Sequence, residues 1–227
     1  HREWFRPFAP AILEERVGRV GRQVCGDGYM ENGVLKFVHF GDGHFHAGGP
    51  PAPWGETFPS QHAPDALARL ESKLEKILIA CGYARGAFNL DAFITASGDP
   101  FVIEIGPRSG GNFIPTAIRY QTGVDMVKAS VEAALSDRYE LEMSRRDGER
   151  FHACYMLHSR LGGILQHVEI SPDFPGVIVE DNPYVSLGDA IRPYLRGNEF
   201  ISNLIMSFPS ASAMASAFED MPRYCRP

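Results

Sequence analysis

Residues 86–111 read GAFNLDAFITASGDPFVIEIGPRSGG, and this stretch decides the fold. Apolar and polar residues alternate over 86–94 and again over 101–105, with a Ser-Gly-Asp-Pro turn at 97–100 between them. Alternation with a period of two on both sides of a turn predicts two antiparallel strands joined as a hairpin. A glycine-rich loop is expected to follow at 106–112.

Two carboxylates stand near the open end of this predicted hairpin, Asp91 on the first strand and Glu104 on the second. Side chains alternate across a strand, so both can project from one face of the sheet. Like charges placed opposite each other are unfavourable there, and a cation such as Mg²⁺ or Mn²⁺ would remove the cost. Arg108 follows in the loop, where a guanidinium and glycine amides suit a phosphate or carboxylate. The alternative is an ordinary exposed hairpin with an acidic residue at each end.

Upstream of the hairpin, the sequence indicates two more strands and one helix. The strands are expected at 23–29 and 34–40, on either side of an Asn-Gly turn. A second turn is expected at 41–43, and the proline-rich residues 48–59 are predicted to be an ordered loop, neither helix nor central strand. Apolar residues at three- and four-residue steps predict a helix over 65–81.

Downstream, another amphipathic helix is expected over 124–135, and the composition changes after about residue 137. Beyond that point β-prone stretches alternate with turns and a helix of small residues closes the chain. These strands are expected at 151–158, 164–170, 176–181 and 203–208, and the helix at 211–220. We therefore expect a compact core of mixed helices and strands over 1–136 and a smaller β-rich lobe over 137–227.

The composition excludes several classes of protein. Of 227 residues, 44% are hydrophobic and 22% charged, which are ordinary globular values that exclude a disordered chain. The formal charge of −6 argues against a nucleic-acid partner, and no apolar stretch approaches the length of a membrane helix. Four cysteines, at positions 25, 81, 154 and 225, lack CxxC spacing and are expected to be reduced thiols in a cytoplasmic protein.

His44 and His46 are the residues that come nearest to a nitrogen-ligand metal motif. They stand two apart, which would place both on the same face of a strand, a spacing that can chelate zinc. No third ligand is near them in the sequence, so we interpret them as ordinary strand histidines.

The stretch 86–111, with its acidic strand residues and its Glu-Ile-Gly-Pro-Arg run at 104–108, resembles the signature of the ATP-grasp superfamily. The helix that follows, ending at 135, is similar to the segment after that family's metal loop. Upstream, residues 12–15 (Ile-Leu-Glu-Glu) resemble the hinge strand that contacts the adenosine of ATP. The resemblance covers about residues 11–136 and implies an α+β fold, the C-terminal ATP-grasp subdomain with an antiparallel sheet and flanking helices.

The resemblance also implies roles for individual residues. Asp91 and Glu104 would ligate the Mg²⁺ (or Mn²⁺) ions that bridge the phosphates of ATP, and Glu14 or Glu15 would contact the adenosine. Arg108 would steady an acyl phosphate or the acceptor carboxylate. Gly106 occupies the place where the family usually has a metal-ligating asparagine, and Asn112 is a nearby candidate substitute.

The function that the resemblance implies is an ATP-dependent ligase. Such an enzyme joins a carboxylate to an amine, or less often to a thiol, through an acyl phosphate, and the amino-acid ligases fit the loop 108–115 best. Its partners would be small-molecule carboxylates and amines. A phosphotransferase on the same fold and a non-catalytic nucleotide-binding regulatory module remain as alternatives.

The N-terminal part of the family's ATP site has no counterpart in residues 1–10, where the phosphate-binding lysines and the lid would precede the hinge. The resemblance therefore implies the C-terminal half of an enzyme, catalytically incomplete as it stands. Residues 151–227 are similar in order to the β-rich C-terminal lobe of carboxylate–amine ligases, with a hairpin over 155–168 turning at Gly162-Gly163. An exposed sheet edge would also allow a homodimer.

Overall fold

The computed structural model describes residues 15–49, 52–136, 140–143 and 150–227, so Glu14 and most of the stretch that resembles a hinge strand lie outside the described residues. The strands are β1 Val20–Glu31, β2 Val34–His44, β3 Gly55–Phe58, β4 Gly86–Ile94, β5 Pro100–Gly106, β6 Phe151–Leu157, β7 Gly163–Ile164, β8 Glu169–Ile170, β9 Val177–Pro183, β10 Ala190–Ile191, β11 Ser202–Phe208 and β12 Cys225–Arg226. The helices are α1 Pro64–Ala80, α2 Ile114–Thr122, α3 Met126–Leu135, α4 Ala211–Glu219 and α5 Met221–Tyr224.

The main sheet has eight strands in the order β5-β4-β1-β2-β3-β6-β11-β9, and each neighbouring pair is antiparallel. The predicted hairpin forms its β4–β5 edge. The predicted antiparallel sheet with flanking helices is therefore confirmed. The division between residues 136 and 137 stays a prediction, and strands from both sides of it share this one sheet.

Helices cover both faces of the sheet next to the hairpin. α1 contributes Leu70 and Leu74 to a core cluster that contains Leu90 of β4. α2 contributes Ile118 to a second cluster that contains Ala87, also of β4. Because successive side chains of a strand point to opposite faces, the two clusters lie on opposite sides of the sheet. None of the described helices is long and apolar enough to cross a membrane.

Residues 55–58 are not part of the loop that the proline content of 48–59 predicts. β3 lies inside the sheet, where it pairs with β2 on one side and β6 on the other. Its four residues are all buried, and the prolines fall just outside them, at 53 and 59. Tertiary pairing on both edges stabilises a strand that is too short to show a periodic pattern.

The turn predicted at 41–43 is also wrong, because these residues continue β2 and pair with β1. The glycines there serve close packing rather than a turn. A Cβ atom on Gly41 would lie 2.5 Å from the ring of Phe58, so only glycine lets β3 pack at this point. His44 ends the strand and His46 lies beyond it, so the two histidines do not share a strand face.

In the C-terminal region, the predicted strand 164–170 and the hairpin over 155–168 are wrong. β6 pairs with β3 and β11, whereas β7 pairs with β10 and β8 with β12 in two small sheets. β6 is buried along nearly its whole length, so it gains more by joining the interior of the large sheet than by pairing with an exposed neighbouring segment.

α2 was not predicted from the sequence, although the signals for it were present. The apolar residues Ile114, Ala117 and Ile118 follow helical spacing, a proline stands in the first turn, and Gly123 ends the helix with a φ of 84°. Proline at the start and glycine at the end are the usual asymmetry of a helix. α1, α3 and α4 lie within one or two residues of their predicted bounds.

Candidate active site

Asp91 and Glu104 are directly opposite each other on β4 and β5. The side chains of such a pair project from the same face, with roughly 5 Å between their Cβ atoms. Burial raises the pKa of Asp91, a hydrogen bond from Gln23 lowers it, the charge of Glu104 raises it and the charge of Arg108 lowers it. Asp91 is half-buried and Glu104 is exposed. The structure thus brings two carboxylates and a guanidinium to one place.

Asp91 lines a cavity of about 430 Å³, and other polar side chains line the same cavity, among them Arg108, Asn112 and Glu56. Arg108 and Asn112 come from the loop after β5, and Glu56 comes from β3. The guanidinium of Arg108 donates a hydrogen bond to the carbonyl oxygen of Ser109 at 2.9 Å, and the side chain is exposed. Of the described residues to which the resemblance gives a role, Asp91, Arg108 and Asn112 therefore line one cavity. Glu104 and Glu15 are not among its lining residues.

Glu56 is a functional candidate that the sequence reading missed, because β3 was expected to be a loop. Its side chain is 1% exposed. One carboxylate oxygen accepts a hydrogen bond from Nδ2 of Asn112 at 3.4 Å. The other oxygen has no hydrogen-bond partner among the described residues. Burial raises the pKa of Glu56 to about 8, although the Asn112 hydrogen bond opposes the shift, and the charges of Asp91 and Asp27 add to it.

Asp27 is a second buried carboxylate that the sequence reading missed. It accepts hydrogen bonds from the backbone N–H of Gly110 at 2.8 Å and from Nδ2 of Asn89 at 2.9 Å. Burial raises the pKa of Asp27 to about 6, against the effect of these two hydrogen bonds and of the charge of Arg108. Asp27 therefore ties the loop that carries Arg108 to the centre of the sheet.

The C-terminal strands support the same loop from its other end. Nδ2 of Asn203, on β11, donates a hydrogen bond to the backbone oxygen of Asn112 at 3.0 Å. Asn112 and Phe113 have φ values of 52° and 61°, a left-handed conformation that costs about 1 kcal/mol or more outside glycine. The hydrogen bond to Asn203 helps to hold the loop in this conformation, with the Asn112 side chain turned to Glu56.

A larger cleft of about 1000 Å³ adjoins this cavity, and the two share Gln23, Phe45, Phe93 and Ile103 among their lining residues. Glu15 also lines the cleft. Phe101 and Ile103, on the edge strand β5, are 42% and 46% exposed. Apolar side chains therefore line the cleft near the carboxylate pair, and Glu15 lines it as well.

The donor set of the carboxylate pair fits a hard divalent cation. Asp91 and Glu104 offer only oxygen ligands, and Mg²⁺ commonly takes one or two carboxylates and completes its shell with water and substrate phosphates. Over the described ranges, no group of three or more His, Cys, Asp and Glu side chains is arranged to hold a metal ion. A cation at this pair would thus depend on ligands from a bound substrate.

Comparison with solved structures identifies the fold. The chain matches phosphoribosylglycinamide synthetase from Anaerococcus prevotii with a TM-score of 0.76 and 17% identity, over 91% of this chain and 53% of that one. It matches L-amino acid ligase from Bacillus licheniformis with a TM-score of 0.74 and 16% identity, over 91% of this chain and 51% of that one. The fold is that of the ATP-grasp ligases.

A third ATP-grasp neighbour was crystallised with a nucleotide and a metal. It is the biotin carboxylase domain of Hydrogenobacter thermophilus 2-oxoglutarate carboxylase, in complex with MgADP and bicarbonate. It has a TM-score of 0.63 and 20% identity over 87% of this chain and 45% of that one. The chain thus spans about half the length of the ATP-grasp structures that it matches.

Sequence comparison matches a smaller part of this chain. Carnosine synthase 1 of Homo sapiens is 34% identical over 76 residues, which are 34% of this chain and 9% of that protein. No protein-family model matches the chain.

Proposed function

We propose that this chain forms the metal-binding and acceptor-binding half of an ATP-dependent carboxylate–amine ligase, with a thiol as a less common acceptor. The observation that carries the proposal is that Asp91 and Glu104 are cross-strand partners beside a cavity that also receives Arg108 and the buried Glu56. The ATP-grasp fold and the names of the solved relatives support the same class of reaction.

The proposed reaction has two steps. An oxygen of the substrate carboxylate attacks the γ-phosphorus of ATP, the bond to the β-phosphate oxygen breaks, and ADP leaves. The acyl phosphate that forms is then attacked at its carbonyl carbon by the amine, which loses a proton as phosphate leaves. Negative charge develops on the transferred phosphoryl group, so positive charge placed beside it lowers the barrier.

The carboxylate pair and Arg108 supply that environment in our proposal. Asp91 and Glu104 would hold Mg²⁺, which neutralises charge on the bridging phosphate oxygens when it is bound. Arg108 would donate paired hydrogen bonds to the phosphoryl group or to the substrate carboxylate. Nδ2 of Asn112 donates a hydrogen bond to Glu56, so this side chain shapes the cavity in our proposal. Its amide oxygen is the atom that would ligate a second metal.

Glu56 would contact the polar end of the acceptor or the acid. Its unpartnered oxygen is buried beside the cavity, and a ligand that donates a hydrogen bond there would remove the cost of leaving it unsatisfied. Phe93, Phe101 and Ile103 would form the apolar wall against the base of the nucleotide, and Glu15 would meet the adenosine. We therefore propose that this site binds small molecules and that nucleic acid is not a partner.

Calorimetry of Mg²⁺-dependent ATP binding tests the proposal. The measurement uses the full-length gene product and the 227-residue chain, each as the original sequence and as Glu104→Ala. Glu71→Ala, which changes an exposed glutamate on α1, is the matched control. We expect Glu104→Ala to weaken binding by at least about tenfold and Glu71→Ala to leave it unchanged. If the full-length protein binds no ATP in Mg²⁺, the likeness to the ligases describes the fold only and the ligase proposal is wrong.

A hydroxylamine trap separates the ligase from the phosphotransferase. Hydroxylamine captures an acyl phosphate as a hydroxamate, whereas phosphorylation of a hydroxyl group yields none. We expect ATP-dependent hydroxamate with the correct carboxylate. Phosphate transfer to substrate without hydroxamate would establish the phosphotransferase.

A further inference from the structure

Two histidines that are far apart in the sequence point their ring nitrogens at each other. Nε2 of His46 and Nε2 of His158 are 2.8 Å apart, although 112 residues separate them in the sequence. His46 follows the end of β2 and His158 follows the end of β6. β3 lies between these two strands, and Gly55 pairs with a residue of each. The pairing of β2, β3 and β6 in the sheet therefore brings the two histidines together.

The ring of His158 is held in one orientation. Its Nδ1 donates a hydrogen bond to the backbone oxygen of Met156 at 2.6 Å, because a carbonyl oxygen can only accept. In the neutral ring Nε2 of His158 then carries the lone pair, which accepts a hydrogen bond from Nε2–H of His46. A cation would take the place of that proton once His46 carries its own proton on Nδ1. A histidine that donates one ring nitrogen to a backbone carbonyl and presents the other is the usual arrangement of a metal ligand.

We propose that His46 and His158 form a binding site for a transition-metal cation of the Zn²⁺ or Cu²⁺ type. Two imidazole nitrogens select such ions, whereas Mg²⁺ prefers oxygen ligands. Metal–nitrogen bonds of about 2.0 Å at a tetrahedral angle separate the two nitrogens by roughly 3.3 Å. The rings therefore need to open by roughly half an ångström.

Only one of the two rings has room to move away from the other. His158 is 8% exposed and its ring packs 4.4 Å from that of Tyr194. His46 is less buried, stacks on Trp54 at 5.7 Å and lines the large cleft. A cation would enter from the cleft and bind His158 as the fixed ligand and His46 as the mobile one. Water or a ligand in the cleft would fill the remaining positions.

The burial of the two rings and the charge near them have different effects on cation binding. Burial lowers the pKa of both rings. The guanidinium of Arg160 also lowers both pKa values, and the same positive charge opposes a bound cation. Arg160 is exposed, so salt screens this repulsion. We expect an affinity for the cation that rises with ionic strength.

Titration of the 227-residue chain with Zn²⁺ by calorimetry, and with Cu²⁺ by electron paramagnetic resonance, tests the site. Millimolar Mg²⁺ is present throughout to occupy oxygen ligands. We expect one site, with splitting from two nitrogens in the Cu²⁺ spectrum. His46→Ala and His158→Ala should each weaken binding at least about tenfold. His167→Ala, which changes an exposed histidine, is the control.

The result that overturns the proposal is the absence of binding, or binding that both variants retain. Circular dichroism checks that each variant is folded. If His158→Ala does not fold, His46→Ala decides alone, because its side chain is the less buried of the two. Metal binding that is lost with Asp91→Asn and kept with His46→Ala also overturns it. No nucleotide enters these measurements, so their outcome is independent of the proposed ligase activity.

Discussion

The carboxylate of Asp27 accepts a hydrogen bond from the backbone N–H of Gly110, 83 residues further along the chain, at 2.8 Å. The side chain of Asn89 donates to the other carboxylate oxygen. A Cβ atom on Gly110 would lie 2.7 Å from Oδ1 of Asp27, so this contact requires glycine. Through it, a buried residue of β1 determines where the loop of Arg108 runs.

Replacing Asp27 with alanine is expected to loosen that loop. The change removes the acceptor of the half-buried Gly110 N–H, at a cost of about 1–3 kcal/mol, whereas Nδ2 of Asn89 keeps the backbone oxygen of Gly26 as an acceptor. Hydrogen–deuterium exchange should become faster over residues 106–112. The matched control is Asp42→Ala, which removes acceptors from Ser60 and Gln61 instead. Equal protection of 106–112 in the original chain and Asp27→Ala would contradict the anchoring role.

Glu56→Gln is expected to remove part of the pH dependence of stability. The folded-state pKa of Glu56, about 8, is above its usual value of 4.5. The folded state therefore holds the proton more tightly, and the stabilisation is present below the usual value and lost as the pH rises through about 8. The slope is about 1.4 kcal/mol per pH unit between these limits.

Urea denaturation from pH 5 to pH 8 measures this slope for Glu56→Gln, with Glu71→Gln as the exposed control. Asp27 contributes in the same direction between its usual pKa of 3.8 and about 6, so the comparison above pH 6 isolates Glu56. A slope that Glu56→Gln leaves unchanged there would show that this carboxyl titrates normally.

Glu104→Gln is expected to lower the pKa of Asp91. The negative charge of Glu104 is one of the causes that raise it, and glutamine keeps the shape without the charge. Carboxyl chemical shifts of Asp91, followed by NMR through an acid titration without metal, measure the change. Glu132→Gln, on α3, serves as the control. An unchanged pKa would mean that the two carboxylates do not interact in solution.

Arg108→Lys is expected to reduce ATP-dependent hydroxamate formation by the full-length protein by about 100-fold. Lysine keeps the charge but loses the paired hydrogen bonds of the guanidinium. ATP binding should change much less, since we assign Arg108 to the phosphoryl group in transfer. Arg69→Lys, on α1, controls for the loss of a guanidinium elsewhere. Equal loss of ATP binding and of hydroxamate would place Arg108 in nucleotide binding instead.

The parts of the fold that were predictable from sequence depend on local pattern. The β4–β5 hairpin has alternation and a turn signal, and α1 has apolar residues in steps of three and four. The same local pattern placed Asp91 and Glu104 on one face. β3 and the pairing of β6 had no such pattern, because their stability comes from partners distant in the sequence.

The residues of the candidate site also fall into two groups, those with a local sequence signal and those without one. Asp91, Glu104, Arg108 and Asn112 lie within one hairpin and its loop, so their proximity follows from a single short stretch of sequence. Glu56 and Asp27 come from other strands, and their burial and raised pKa values exist only once the sheet is assembled. Nothing in the sequence near either residue distinguishes it from an exposed carboxylate.

The sequence by itself thus determined the hairpin, the main helices and the pair of carboxylates, because a two-residue period and a glycine turn act over a few residues. Only the tertiary structure decided which other groups meet that pair. It buried Glu56 and Asp27, brought His46 to His158, and joined the C-terminal strands to the same sheet. The physical reason is that desolvation and long-range strand pairing depend on the whole chain, and neither leaves a local signature in sequence.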